Sequence, residues 1–217
     1  MIRTRHLLLI FLPAILIAGI ALAVRVTQFQ SLYPKDTPEE DSDTSQNGVP
    51  IPILPSDPII GERGAPITII TFEDFGCPAC RDQINLLDTL RGRYPKKIKI
   101  IWKGLAVTRI PYPSRLAHEY AFCANRQGKF APFAAKAFDS IANLSPGSLE
   151  SIATAIPLNE AALAPCLAGD DVKNAMKQTE QIAELFHIQS VPTIFVNNKQ
   201  VEPPRGVEGW VTLLGLK

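Results

Sequence analysis

A Cys-Pro-Ala-Cys motif at residues 77–80 constrains the fold of this chain more than any other sequence feature. An apolar run typical of a strand, residues 67–72, comes directly before it, and a helical pattern follows. At the start of a helix, unpaired backbone N–H groups and the positive end of the dipole stabilise a thiolate. Pro78 suits the first helical position, because its missing N–H has no partner there. This setting predicts a reversible disulfide between Cys77 and Cys80.

Residues 1–25 have the pattern of a membrane anchor or a signal peptide. Arg3 and Arg5 precede residues 7–24, which carry no charge. As a helix, this segment would span roughly 27 Å, close to the thickness of a hydrocarbon core. Its length favours an uncleaved transmembrane helix, while the small residues near its end would also suit a signal peptidase. Basic residues before the segment keep the N-terminus in the cytoplasm, so both interpretations predict that the rest of the chain is exported.

Residues 26–58 differ in composition and are predicted to be a flexible linker. Pro, Asp, Glu, Ser and Thr are frequent there, and the apolar residues show no helical or strand period. Such a sequence favours an extended tether between a membrane and a folded domain. Residues 59–217 have the length of one domain with its own core. We therefore expect one exported domain, in a compartment where disulfides persist.

Composition and charge describe an ordinary globular protein. The chain is 46% hydrophobic and 20% charged, with a formal net charge of +1. Its sequence contains no basic stripe and no block of like charge, so nucleic acid is not an expected partner. It also contains no signature of a bound organic cofactor, and we expect neither a cofactor nor a resident metal.

Hydrophobic periods along residues 59–217 predict an α/β fold. The helix after the motif is expected to end before Pro95, and a strand is expected at residues 98–102. Strand, helix and strand within about 35 residues predict a parallel pair with a right-handed crossover. Helical patterns then fill residues 104–186. Strand character returns at residues 193–196, where two asparagines predict the turn of a hairpin.

With these motifs the chain resembles the DsbA-like branch of the thioredoxin superfamily, specifically its exported or membrane-tethered single-domain members. The resemblance runs from about residue 57 to the C-terminus. It rests on four segments in the expected order: GERGAP at 61–66, FEDFGCPAC at 72–80, QGKF at 127–130 and VPTIFVN at 191–197. It implies a thioredoxin-like α/β fold with a helical insertion at about residues 104–186, preceded by the transmembrane helix or signal peptide.

The resemblance also implies a role for Val191 and Pro192. In the family the matching proline is cis and faces the cysteine motif, so that the main chain of Val191 can pair with an extended substrate segment. The alternative is an ordinary trans-proline that leads into an edge strand. Cys77, accessible at the helix start, is expected to form the mixed disulfide, and the more buried Cys80 is expected to resolve it.

The residues between the cysteines, Pro78 and Ala79, are expected to tune the reactivity of the site. The best-known members of the family carry a histidine between the cysteines, where it further stabilises the thiolate. Here the helix N-terminus and the nearby backbone are the expected contributors. We therefore expect an oxidant that is milder than those members.

Two further cysteines, Cys123 and Cys166, both fall in the predicted insertion. Similar proteins often join cysteines at these two places, so the resemblance implies a structural disulfide, which an exported location favours. Two buried free thiols are the alternative. No motif surrounds either residue, so a second redox relay with Cys77 and Cys80 is not expected.

Several polar residues close to the motif are not assigned to the chemistry. Glu73 and Asp74 could accept a proton from Cys80 or oppose thiolate formation, but they are interpreted as loop charges or as partners of the helix N-terminus. Thr71 occupies a position where some relatives place a buried acid, and its hydroxyl cannot titrate. His118 is interpreted as a packing or surface residue.

The sequence thus predicts a thiol:disulfide oxidoreductase that donates the Cys77–Cys80 disulfide to reduced exported proteins through a mixed disulfide on Cys77. A membrane redox partner, DsbB-like or VKOR-like, would restore the disulfide. The protein would lie in the periplasm or at the outer face of the cytoplasmic membrane, anchored by residues 7–24.

Two alternative functions stay open. The first is an envelope reductase or isomerase that uses the same Cys77 and Cys80. Isomerases generally dimerise through an additional N-terminal domain, for which residues 26–58 are too short. The second alternative, from a different class, is a protein that binds a soft metal such as Cu(I) or zinc through the two cysteines.

Overall fold

The computed structural model describes residues 17–21 and 49–217. Residues 17–21 are helical, and none of the helices in these two ranges has the length and apolar character needed to cross a membrane. Most of the predicted membrane segment, residues 7–24, and most of the predicted linker, residues 26–58, lie outside the described residues. Both therefore stay predictions.

A mixed sheet of five strands forms the centre of the domain. The strands are β1 (Ile59–Gly61), β2 (Ile67–Glu73), β3 (Ile98–Gly104), β4 (Thr193–Val196) and β5 (Lys199–Val201). Their spatial order is β1-β3-β2-β4-β5. The predicted parallel pair is confirmed in β2 and β3, and the other neighbouring pairs are antiparallel. Strand β1 is not among the predicted strands, because its three residues are too few for a periodic pattern.

Helices cover both faces of this sheet. Residues 49–217 contain α1 (Pro78–Arg93), α2 (Arg115–Arg126), α3 (Phe130–Asp139), α4 (Pro146–Ala155), α5 (Glu160–Ala168), α6 (Asp170–Leu185) and α7 (Val207–Leu213). Helices α2 to α6 form a helical stretch between β3 and β4, so the predicted α/β fold with a helical insertion is confirmed. Asp170 and Asp171 do not cap α6 but occupy its first turn, where carboxylates interact favourably with the positive end of the helix dipole.

Alternating side chains of β2 and β3 belong to two cores on opposite faces of the sheet. Ile69 and Trp102 lie in the larger core, together with α1 and the helices of the insertion. Ile70 and Phe72 lie in the smaller core, together with Ile182 of α6. Burial on both faces explains why β2 has a nearly continuous apolar sequence.

The segment ahead of β1 is attached to the smaller core. Ile51 is buried there. The Asp57 carboxylate accepts hydrogen bonds from Lys103 Nζ at 2.5 Å and from the Leu54 N–H at 2.7 Å. Burial raises the pKa of Asp57, although the hydrogen bond and the charge of Lys103 act in the opposite direction. The sequence predicts that the domain begins at residue 59. In the structure, residues from Ile51 onward already pack against it.

Candidate thiol–disulfide site

Cys77 and Cys80 are joined by a disulfide at the N-terminus of α1, with their Cα atoms 5.2 Å apart. Cys77 is the N-cap residue, and its Sγ accepts a hydrogen bond from the backbone N–H of Cys80 at 3.2 Å. Pro78 begins the helix, as predicted. The Cys77 sulfur thus lies where a helix end stabilises negative charge when the disulfide opens.

The two sulfurs differ in their access to solvent. Cys77 is partly exposed, whereas Cys80 is fully buried in the larger core. Pro78 and Ala79, which separate them, are both exposed. An incoming sulfur can therefore reach Cys77 but not Cys80.

The loop before β4 reaches the disulfide. The Val191–Pro192 peptide bond is cis, and the carbonyl oxygen of Val191 lies 3.7 Å from Cys77 Sγ. Val191 and Pro192 are both partly exposed. The fold thus brings the cysteine motif and the Val191-Pro192 pair together, although 114 positions separate Cys77 from Val191.

The carboxylate of Asp74 holds the turn before the disulfide to the loop after β3. It is fully buried and accepts hydrogen bonds from the backbone N–H groups of Gly76 at 3.0 Å, Val107 at 2.8 Å and Thr108 at 2.6 Å. His118 Nε2 lies 3.2 Å from its Oδ1. Burial acts to raise the pKa of Asp74, but the hydrogen bond and charge of His118 and the Gly76 N–H lower it below its ordinary value of 3.8.

The sequence interpretation as a loop charge or helix partner is wrong for Glu73, whereas Asp74 does lie in the loop after β2 but is buried there. Glu73 is the last residue of β2 and, like Asp74, has no exposed surface. Thr71 donates a hydrogen bond to Glu73 Oε1, while Oε2 has no partner among the described residues. Burial raises the pKa of Glu73 well above its ordinary value of 4.5, since the bond from Thr71 lowers it by less. Burial therefore favours the neutral carboxyl.

Glu73 lies on the face of the sheet that carries Cys80. Residues 69, 71 and 73 share one face of β2, and Ile69 packs in the core that contains Cys80. Phe72 pairs with Thr193 of β4, so Glu73 is the neighbour of Pro192 at the same end of the sheet. The sequence does contain a signal for this placement. If the predicted strand is extended to Glu73, Thr71 and Glu73 are two residues apart and their side chains lie on the same face of the sheet.

His118 is a second residue whose surroundings the sequence did not predict. Its ring is buried on α2 and lies 4.8 Å from the Phe75 ring, between centroids. Its polar partner, Asp74, is 44 positions away in the chain. The packing interpretation of His118 is confirmed, but no local pattern could reveal the carboxylate beside it.

Cys123 and Cys166 are joined by the second disulfide, which links α2 to α5 with Cα atoms 5.9 Å apart. Cys123 is fully buried and Cys166 partly buried, both at the larger core. All four cysteines of the chain are therefore paired. Over the described ranges, no group of three or more His, Cys, Asp or Glu residues is arranged to hold a metal.

Known proteins share the fold of residues 49–217. A family model described as "Thioredoxin" matches residues 54–215. A periplasmic thioredoxin-like protein from Salmonella enterica serovar Typhimurium superposes with a TM-score of 0.66 at 18% identity, over 76% of this chain and 91% of that one. The thiol-disulfide exchange protein α-DsbA2 from Wolbachia pipientis gives a TM-score of 0.65 at 15% identity, over 74% and 86%. At 18% and 15% identity, these structural similarities show the fold alone.

A curated relative is named as the Na⁺/H⁺ antiporter NhaA 3 of Salinispora tropica. It is 26% identical over 159 residues, which are 73% of this chain but only 24% of that protein. The chain spans about a quarter of the length of the curated relatives it matches. The match therefore concerns one part of a much longer protein.

Proposed function

Because the chain belongs to the thioredoxin family, we propose that it is an exported thiol:disulfide oxidoreductase of the DsbA-like branch, which donates its Cys77–Cys80 disulfide to reduced exported proteins. One observation carries the proposal. The disulfide lies at the N-terminus of α1, with Cys77 partly exposed beside the Val191 carbonyl and Cys80 buried. This arrangement favours attack by an outside thiolate on one sulfur alone.

The reaction proceeds in two exchange steps. A client thiolate attacks Cys77 Sγ, so that a client–Cys77 bond forms, the Cys77–Cys80 bond breaks and Cys80 leaves with the electron pair. A second client thiolate then attacks the client sulfur of this mixed disulfide. The client disulfide forms and Cys77 leaves as a thiolate, which the helix N-terminus and the Cys80 N–H stabilise. Two electrons pass from the client to the cysteine pair.

Glu73 is proposed as the proton donor for Cys80. Its carboxyl, whose pKa is raised by burial and whose Oε2 has no partner among the described residues, lies on the Cys80 face of the sheet. A thiolate formed in this buried site would be poorly solvated, so a proton from Glu73 would stabilise Cys80 as it leaves. The proton would return to Glu73 when the disulfide is restored.

The remaining predicted residues have supporting roles in this proposal. The partly exposed main chain of Val191 would pair with an extended client segment, and Pro192 adds no charge or metal ligand beside the sulfur. Pro78 and Ala79 bring no titratable group, so the helix end dominates the tuning of Cys77. The Cys123–Cys166 disulfide would be structural.

Location and partners follow from the same function. Residues 7–24 would anchor the chain in the cytoplasmic membrane or direct its export, with the domain in the periplasm or on the outer face. The similar Salmonella protein is described as periplasmic, which supports this location. A DsbB-like or VKOR-like membrane protein would accept the two electrons and restore the disulfide.

The test is the redox equilibrium of the Cys77–Cys80 pair. The purified chain is equilibrated with glutathione buffers of graded composition, quenched by alkylation and analysed by mass spectrometry. A potential more oxidising than that of the glutathione pool supports donation of the disulfide. A strongly reducing potential would replace the oxidase with a reductase. A pair that never exchanges would contradict both, and binding of Cu(I) or zinc by the reduced protein would then be measured.

A further inference from the structure

We propose that the outer edge of β1 is a binding site for an extended, acidic segment of a partner polypeptide, which adds a strand to the sheet there. This site lies apart from the disulfide. Arg91, in the last turn of α1, lines the groove at that edge, and Cys77 caps the other end of the same helix, about 20 Å away. The inference therefore concerns a second function of the domain, beyond exchange at Cys77.

A groove of about 950 Å³ borders β1. All three residues of β1 line it, and its walls come from the end of α1, the end of α2, the start of α3 and one side of α6. In the five-stranded sheet, β1 is the outermost strand on its side. The groove thus gives a partner access to the edge of the sheet.

The main chain of β1 directs hydrogen-bonding groups into this groove. The Trp102 N–H donates to the Pro58 carbonyl at 3.0 Å, and Ile60 is the next residue whose N–H and C=O point toward β3. Because the two groups of a peptide unit point to opposite sides, the N–H and C=O of Ile59 and the N–H of Gly61 point away from β3. Among residues 49–217, no further strand pairs with this edge. Such an edge is a template for an added strand.

Three arginines line the groove, and they are available to carboxylates. Arg63 is exposed, and its guanidinium has no hydrogen bond or ion pair with the described residues. Arg91 pairs with Asp88 at 3.2 Å, and the Asp88 side chain is 52% exposed. Arg126 pairs with Asp171 at 2.8 Å, and the Asp171 side chain is 74% exposed. Exposed pairs of this kind are weak, so the carboxylates of a partner can compete for both guanidinium groups.

The acidic residues that line the groove are already neutralised. Asp57 is buried and accepts a hydrogen bond from Lys103 Nζ, and Asp171 is the partner of Arg126 described above. Two exposed amide side chains of α6, Asn174 and Gln178, add neutral hydrogen-bonding groups. An acidic partner would therefore meet unneutralised positive charge in the groove, whereas a basic partner would be repelled.

An extended polypeptide uses all of these features together. Its main chain pairs with the outward groups of Ile59 and Gly61, and every second side chain points to the same face of the added strand. Carboxylates two residues apart can then reach arginines on one wall of the groove, where a guanidinium binds a carboxylate through two parallel hydrogen bonds. A small anion would use the arginines alone. A partner held at this edge leaves Cys77 accessible.

The experiment measures the binding of fluorescent peptides to the full chain by anisotropy. The first peptide is an octapeptide that alternates Glu with Val, and the second has Lys in place of Glu. Two further forms of the first peptide carry N-methyl groups, on every Glu nitrogen in one and on every Val nitrogen in the other. We expect the Glu peptide to bind and the Lys peptide not to bind. One of the two methylated forms, the one whose pairing edge is blocked, should bind about tenfold or more weakly, and the other serves as its control.

Arg63→Glu should weaken binding of the Glu peptide about tenfold or more, because charge-assisted hydrogen bonds are lost. Lys136→Glu is the matched control, since it makes the same change of charge at an exposed position of α3 outside the groove. The rate of exchange with glutathione should be the same in Arg63→Glu and wild type. A failure of this inference is thus distinct from a failure of the proposed function, which the glutathione reaction tests by itself.

Four results would overturn the inference. The first is a Glu peptide that binds wild type no more tightly than the Lys peptide does. The second is equal binding of the Glu peptide to Arg63→Glu and wild type, or an equal loss in Lys136→Glu. The third is undiminished binding of both methylated forms, which would exclude an added strand. The fourth is a dimer of the chain, seen by sedimentation, that the Glu peptide dissociates, because the edge would then hold a second copy of the chain.

Discussion

The Sγ atom of Cys77 lies 3.7 Å from the carbonyl oxygen of Val191, across 114 positions of the chain. The contact joins the N-terminus of α1 to the segment that enters β4, and β2 lies beside β4 in the sheet. Glu73, whose carboxyl pKa is raised by burial, is the last residue of β2 and lies on the face of that strand that carries Cys80. The accessible sulfur, the backbone acceptor and the buried acid thus occupy one end of the sheet.

Substitution of the two active-site cysteines should separate their roles. Cys77→Ala is expected to abolish exchange, because no active-site disulfide can form to oxidise a reduced client and a client disulfide cannot reach the buried Cys80 thiol. Cys80→Ala should still form a mixed disulfide through Cys77, which then accumulates when a client disulfide is offered, since the resolving thiol is missing. Mass spectrometry of the trapped adduct checks both. An adduct on Cys80 in the Cys77→Ala protein would contradict the assigned roles.

Replacement of Glu73 should change how stability depends on pH. In the folded protein the pKa of Glu73 is raised above 4.5, so above pH 4.5 the folded state holds a proton that the unfolded state has lost. The contribution of Glu73 to the free energy of unfolding therefore falls as pH rises through that window. Glu73→Gln should remove this slope and be relatively more stable at about pH 8 than at about pH 5. Urea unfolding of the oxidised proteins measures the difference.

Glu73→Gln should also slow the first exchange step. Without a proton donor, Cys80 leaves as a poorly solvated thiolate, and we expect the rate to fall roughly tenfold or more. The loss should be largest at low pH, where wild-type Glu73 is fully protonated. The rate of the first exchange step with glutathione is measured for both proteins over a range of pH, by stopping the reaction at set times. Identical profiles for the two proteins would show that Glu73 is only a structural residue.

The buried carboxylate of Asp74 should be important for stability. Asp74→Asn leaves fewer acceptors for the Gly76, Val107 and Thr108 N–H groups and removes the charge beside His118, at a cost of about 3 kcal/mol. Because the pKa of Asp74 is lowered, its contribution is present above pH 3.8 and is lost as pH falls below that value. Urea unfolding at neutral and acidic pH tests both statements.

Asp88→Asn is the control for that substitution. Asp88 forms an exposed ion pair with Arg91 at 3.2 Å, and such pairs contribute roughly 0–1 kcal/mol. A loss for Asp74→Asn no larger than that for Asp88→Asn would contradict the role assigned to the buried network.

Removal of the second disulfide should affect stability and leave exchange in place. The Cys123–Cys166 bond closes a separation of 43 residues, and the double variant Cys123→Ala, Cys166→Ala is expected to lose about 2–4 kcal/mol. The Cys77–Cys80 disulfide should still exchange with glutathione at a rate close to that of wild type. Thermal unfolding and the glutathione rate are measured on the same preparation. A loss of exchange in the folded variant would show that the second disulfide takes part in the chemistry.

Local sequence patterns predicted most of the elements near the site. The cysteine motif, the apolar run before it and Pro78 specify a strand, a turn and the start of a helix, because strand alternation and helix capping depend on residues close together in the chain. The parallel pairing of β2 and β3 followed from the crossover rule. The hairpin turn followed from Asn197 and Asn198, which both adopt positive φ.

Only the tertiary structure decided the surroundings of the acidic residues and of the loop after β3. Glu73 ends β2 and Asp74 follows it, in a sequence typical of a charged turn, yet both side chains are buried by residues from distant parts of the chain. His118 becomes the partner of Asp74 only when α2 packs against the sheet. Residues 105–114 come to lie beside Cys77 through hydrogen bonds to Asp74. The sequence by itself determined where a reactive disulfide forms, since that is local; burial, charge state and neighbours depend on contacts between distant segments, which only the fold supplies.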